Sequence, residues 1–98
     1  MREKDIEKWV KDYSRKLGWL PFKFTSPAQR GVPDCVFLKE GVIIFIEFKA
    51  LGKQPTKLQL VMAQKMKEHG ALVFLIDSRE KGKDLFDKFE EEFKDGLS

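Results

Sequence analysis

The chain has 98 residues, 42% apolar, 36% charged and 12% aromatic, with a formal net charge of +3. That length suits one compact domain over residues 1–98, and nine Phe, two Trp and one Tyr exclude a disordered chain. A single Cys and a single His exclude a disulfide framework and a His-rich zinc site, so any metal must sit on carboxylates.

Residues 3–17 place Ile6, Trp9, Val10, Tyr13 and Leu17 on one helical stripe, which Gly18 ends. A short strand follows with Trp19, Phe22 and Phe24 as its apolar members, and Pro21 assigns it to an edge. Residues 25–34, TSPAQRGVPD, hold two prolines and a glycine and read as a loop. Asp34–Lys39 and Val42–Lys49 read as strands joined by Glu40-Gly41. A two-residue turn there pairs Lys39 with Val42 and, counting back, sets Asp34 opposite Glu47. Opposed residues share a face with Cβ atoms about 5 Å apart. Lys49, two residues beyond Glu47, projects from that face as well.

Both faces of this hairpin are apolar, with Val36, Leu38, Ile43 and Phe45 on one and Phe37, Ile44, Ile46 and Phe48 on the other. Helices are therefore predicted to cover both. After a loop, Leu51 to Pro55, Thr56 and Gln59 have the spacing of a capping box. Leu58, Val61, Met62 and Met66 form that helix's apolar stripe, and Gly70 closes it. Ala71–Ile76 reads as a buried strand parallel to the one before the helix. Asp77 and Ser78 offer a cap for a last helix marked by Leu85, Phe86, Phe89 and Phe93. The predicted order is αβββαβα, an α/β fold with a central mixed sheet flanked by helices. No apolar run approaches the ~20 residues of a membrane span, and MREKDIEKWV lacks a signal-peptide core. The expectation is a cytoplasmic protein without a membrane partner.

Asp34 and the Glu47-Phe48-Lys49 tripeptide interrupt apolar strands at the open end of the hairpin. Two carboxylates at cross-strand distance repel, and each raises the other's pKa unless a cation relieves them. Mg²⁺ accepts one or two carboxylates together with waters and a substrate phosphate. Lys49 adds positive charge where a phosphate could lie. An Asp–Lys or Glu–Lys ion pair at the sheet end is the alternative. Residues 1–67 carry 14 Lys/Arg against 7 Asp/Glu, whereas residues 68–98 carry 5 against 9. A basic body points to a polyanionic partner, with a solvated lysine-rich surface as the alternative.

Pro33-Asp34, followed after twelve residues by Glu47-Phe48-Lys49, resembles the PD-(D/E)XK nuclease signature. The finer pattern is similar to its virus-type replication-repair nuclease branch (VRR-Nuc), in the stand-alone phage and bacterial form. The matching residues are Glu3 and Ile6, Gly31-Val32-Pro33-Asp34, Glu47-Phe48-Lys49-Ala50, Gln59 and Gly70. The resemblance implies a restriction-endonuclease-like αβββαβ core, to which the last helix is an addition. It implies an endonuclease that hydrolyses DNA with Mg²⁺ or Mn²⁺. Asp34 and Glu47 would be metal ligands together with the Phe48 backbone carbonyl, and Lys49 would position or activate the attacking water. Glu3 would be the first-helix acid supporting the metal, and Gln59 the polar residue projecting from the next helix.

The resemblance also implies a homodimer that resolves four-way (Holliday) junctions in DNA repair. A nicking or flap nuclease, or a DNA-binding module with a degenerate site, are the other readings. Glu7 is the alternative to Glu3, and Gln59 is either a site residue or only the capping partner of Thr56. Ser26, Arg30, Lys53 and Lys57 are candidate DNA contacts. Cys35 is assigned to the core, and His69 to the C-terminal end of its helix rather than to general-base work. The dimer contact is assigned to part of the last helix, with Leu85, Phe86, Phe89, Phe93 and Leu97, or to the hairpin region; the alternative is that these Phe residues finish the monomer's own core.

Overall fold

A computed structural model describes residues 1–96. Its elements are α1 (Glu3–Lys16), β1 (Leu20–Lys23), β2 (Cys35–Lys39), β3 (Val42–Phe48), α2 (Lys57–Glu68), β4 (Leu72–Ile76) and α3 (Arg79–Lys94). The strands lie in the order β1-β2-β3-β4, with two antiparallel pairings and a parallel one between β3 and β4. This is the expected mixed sheet, its parallel step made through α2. No helix among the described residues is long and apolar enough to cross a membrane.

The β2–β3 hairpin sets the rest. Glu40 and Gly41 both take positive φ, 47° and 83°, the backbone that matches a two-residue turn to the twist of its strands. Pairing then runs from Lys39↔Val42 to Cys35↔Ile46, the register expected from the turn. Each strand ends one residue short of its predicted limit. The reason is local: the Phe48 N–H donates to Asp34 Oδ2 at 3.3 Å, so a side chain replaces the next rung of the ladder.

On one face of the sheet, α1 and α3 cover Phe37, Ile44, Ile46 and Phe48, all fully buried. Burying each such side chain contributes roughly 1.5–3 kcal/mol. Ile6 and Val10 of α1 enter this core, and the two helices come close because Gly82 of α3 lies against Val10. Trp19 lies just before β1 and meets Phe86, Phe89 and Phe93 edge-on, with ring centroids 5.2, 5.5 and 5.8 Å away. The aromatic side of α3 is thus consumed by the protein's own core. That removes Phe86 and Phe89 from the surfaces to which a dimer contact was assigned; Leu97 lies outside the described residues.

The opposite face departs from expectation, because α2 covers it only in part. Leu20, Phe22 and Ile43 are 60%, 44% and 53% exposed. The stripe of α2 is also rotated: Leu58 and Val61 are exposed, whereas Gln59, Met62, Ala63 and Met66 turn inward. Positions 59, 62, 63 and 66 satisfy helical spacing as well as the predicted set does. In the observed phase Gln59 bonds Glu47 and the Thr56 N–H while Met62, Ala63 and Met66 are half-buried. The first strand is likewise confined to Leu20–Lys23, leaving Trp19 and Phe24 outside it.

Candidate active site

Asp34 is held from both sides. Its carbonyl accepts from the Phe24 N–H at 2.7 Å, and its side chain accepts from the Phe48 N–H. The 25–34 loop that delivers it rests on α2 at Gly31, where φ is +84° and a Cβ would lie 2.9 Å from both Leu58 Cγ and the Leu58 carbonyl oxygen. Only glycine suits that position. Glu47 enters from β3 and is 92% covered, since its exposure is 8%. Lys49 continues β3 toward β4 through a 3.0 Å bond from its N–H to the Ile76 carbonyl.

Two groups converge on one oxygen of the Glu47 carboxylate. Gln59 Nε2 donates to Oε2 at 3.0 Å, and Lys49 Nζ lies 3.8 Å from the same oxygen. The other oxygen, Oε1, is buried and has no hydrogen-bond partner. Burial, reinforced by the neighbouring negative charge of Asp34, pushes Glu47 up to about 8 despite the opposing charge of Lys49. A buried carboxylate with an orphaned oxygen beside a second carboxylate suits a hard divalent cation with waters in its remaining positions. The residues present therefore fit Mg²⁺ or Mn²⁺. No set of three His, Cys, Asp or Glu side chains converges among the described residues, so the pair stands without a third such ligand.

Glu3 is exposed at the start of α1, near enough for its charge to add to the upward push on Glu47. Glu7 has other work. Burial alone would raise it, but bonds from Lys11 (2.8 Å) and Lys23 (2.9 Å) outweigh that and hold it below the usual carboxylate range. Of the two first-helix acids, Glu7 is engaged by two lysines, whereas the charge of Glu3 adds to the push on Glu47. Gln59 combines both of its alternatives in a single amide: Oε1 accepts from the Thr56 N–H while Nε2 reaches Glu47.

Ser26 and Arg30 lie on the loop before Asp34, and Lys53 and Lys57 are exposed around the start of α2. None of these four is bonded to the carboxylate pair. Cys35 is fully buried, and burial pushes its thiol up to about 12, so it is inert. His69 Nδ1 lies 2.8 Å from the Lys65 carbonyl at the end of α2, as its position predicted. Lys23 was overlooked in the sequence. It pairs with Cys35, one residue from Asp34, and feels the Asp34 charge. The β1–β2 register, the one signal for it, cannot be read across a ten-residue loop.

No protein-family model matches the chain. A protein of Acyrthosiphon pisum secondary endosymbiont phage 1, named "Putative nuclease p44", is 43% identical over 81 residues, which are 82% of this chain and 87% of that one. A solved structure titled "VRR_NUC domain" superposes with a TM-score of 0.80 at 30% identity, covering 87% of this chain and 94% of its own. The strand order, the sequence motifs and both relatives agree, and the chain belongs to the VRR-Nuc family of nucleases.

Proposed function

We propose that the protein is a divalent-metal-dependent DNA endonuclease whose site is Asp34, Glu47 and Lys49. The observation that carries this reading is the buried Glu47 carboxylate, with one oxygen unpartnered and Asp34 beside it. Asp34, Glu47 and the Phe48 carbonyl would hold Mg²⁺ or Mn²⁺. When bound, the ion supplies a Lewis acid for a phosphodiester oxygen and neutralises the carboxylate repulsion. Lys49 orients the attacking water and stabilises charge on the pentavalent phosphorus. Glu3 supports the site from its edge, and Gln59 fixes the Glu47 carboxylate. Ser26, Arg30, Lys53 and Lys57 are assigned to the DNA backbone, where contacts position the duplex without reading its sequence.

The substrate in this reading is a branched duplex such as a four-way junction. The test is a cleavage series on linear, flap and four-way-junction DNA of one composition, each with Mg²⁺, Mn²⁺ or EDTA. Metal-dependent cutting with the junction fastest is the expected result. Faster cutting of flaps would give the enzyme a different substrate, and cutting that persists in EDTA would reject the metal.

Paired cuts across a junction need two sites in fixed opposition, and one chain supplies one. The protein is accordingly a homodimer in this reading, associating through the half-open sheet face at Leu20, Phe22 and Ile43 rather than through α3. That face keeps three large apolar side chains exposed on neighbouring strands. Light scattering at micromolar concentration should give about twice the 11.5 kDa of one chain, and Phe22→Lys combined with Ile43→Lys should halve it. A wild-type mass of one chain would reject both the dimer and the paired cut.

A further inference from the structure

Gln59 could meet Glu47 with either end of its amide, and only one end is useful there. An oxygen facing a carboxylate is repelled, whereas an N–H₂ is held. The orientation is decided outside the site, at the first turn of α2. The Thr56 side chain accepts from the Gln59 N–H at 3.1 Å, and Gln59 Oε1 accepts from the Thr56 N–H at 2.9 Å. These reciprocal bonds form a complete capping box. With Oε1 engaged, Nε2 is the only group left for Glu47 Oε2, and Oε1 of Glu47 stays free.

Beside the contact of Gly31 with Leu58, the capping box is the main local feature at the start of α2. None of its residues is fully buried, so packing holds its phase only through the half-buried Met62, Ala63 and Met66. Its first turn carries no acidic side chain to favour the helix dipole. Thr56 has extended backbone, φ −69° and ψ 160°, the conformation from which a hydroxyl reaches back to the third helical N–H.

We infer that Thr56 is a positioning residue for the nuclease site: through the capping box it fixes the Gln59 amide, which in turn determines which Glu47 oxygen is presented to a cation. The inference rests on the metal-dependent reading for its consequence, but its geometry can be tested without metal. In the metal-free protein, NMR of the Gln59 side-chain amide should show protons held by the Glu47 carboxyl oxygen. Thr56→Ser should keep that signature, and Thr56→Val should move it to the position of a free amide. An unchanged amide in Thr56→Val overturns the inference.

Mn²⁺ titrated calorimetrically into DNA-free protein should bind about fivefold more weakly to Thr56→Val, the order of a lost N-cap bond. Thr56→Ser should restore the wild-type value. Equal affinities, with only the melting temperature lowered in Thr56→Val, would make the cap purely structural and overturn the inference. Wild-type protein that takes up no Mn²⁺ would instead defeat the metal reading, and the amide resonances would then decide the role of Thr56 alone.

Discussion

Asp34→Asn and Glu47→Gln should each lower DNA cleavage by about 10³-fold or more, and metal-free Glu47→Gln should melt higher than wild type at pH 8. The two effects have one origin. Glu47 has an ordinary value of 4.5 and is raised to about 8 by burial and by Asp34. A carboxyl raised in the folded state binds more protons there than in the unfolded chain. Its contribution is fully present below about pH 4.5 and is lost as pH rises through about 8. Glutamine does not titrate, so the variant keeps its stability across that window. A net change of ~1 kcal/mol moves the melting temperature of such a domain by about 4–8 °C. Melts at pH 5 and pH 8 with EDTA, and again with Mg²⁺, check the slope and its relief by the cation. Full Mg²⁺-dependent cleavage by either variant would remove the pair from the site.

Lys49→Ala should slow the chemical step by roughly 10²–10⁴-fold, the scale of a positioned proton-transfer or charge-stabilising group. Metal affinity should change little. Lys49 differs from the other candidate lysines in how it is held. Its side chain is only 16% exposed, its Nζ lies 3.8 Å from Glu47 Oε2, and its N–H is tied to β4. The Lys53 side chain, by contrast, is exposed and pairs with no carboxylate among the described residues, which suits a phosphate contact alone. Single-turnover rates at saturating DNA, beside Mn²⁺ titrations, separate the two roles. A variant with normal turnover and weak DNA binding would reduce Lys49 to a phosphate contact.

The site was readable in the sequence because a two-residue turn fixes strand parity. Once Lys39 faces Val42, the alternation of side chains carries Asp34, Glu47 and Lys49 to one place with no further information. The helix after the hairpin shows where such reasoning stops. Leu58, Val61, Met62 and Met66 have helical spacing, but so do the four positions that face inward. The observed phase includes a bond between Gln59 and Glu47, twelve residues apart in sequence, and periodicity carries no trace of it. The aromatic side of α3 was ambiguous for the same reason, since its pattern is the same whether Trp19 or a second chain covers it. The lysine partners of Glu7 are hidden in the same way, since Lys23 reaches the first helix only through the β1–β2 pairing.

The Glu40-Gly41 turn lies at the far end of the hairpin from Asp34 and Glu47, with open space around Gly41. Five residues of strand span about 17 Å, so the chemical end and the turn end are joined by a strut and otherwise independent. A longer loop in place of this dipeptide costs little closure entropy, which grows only slowly with length. The register would still be pinned at the other end, where Asp34 bonds the Phe48 N–H. The turn is therefore the natural place to graft a fluorophore, a tether or a targeting module onto this nuclease without disturbing the proposed site.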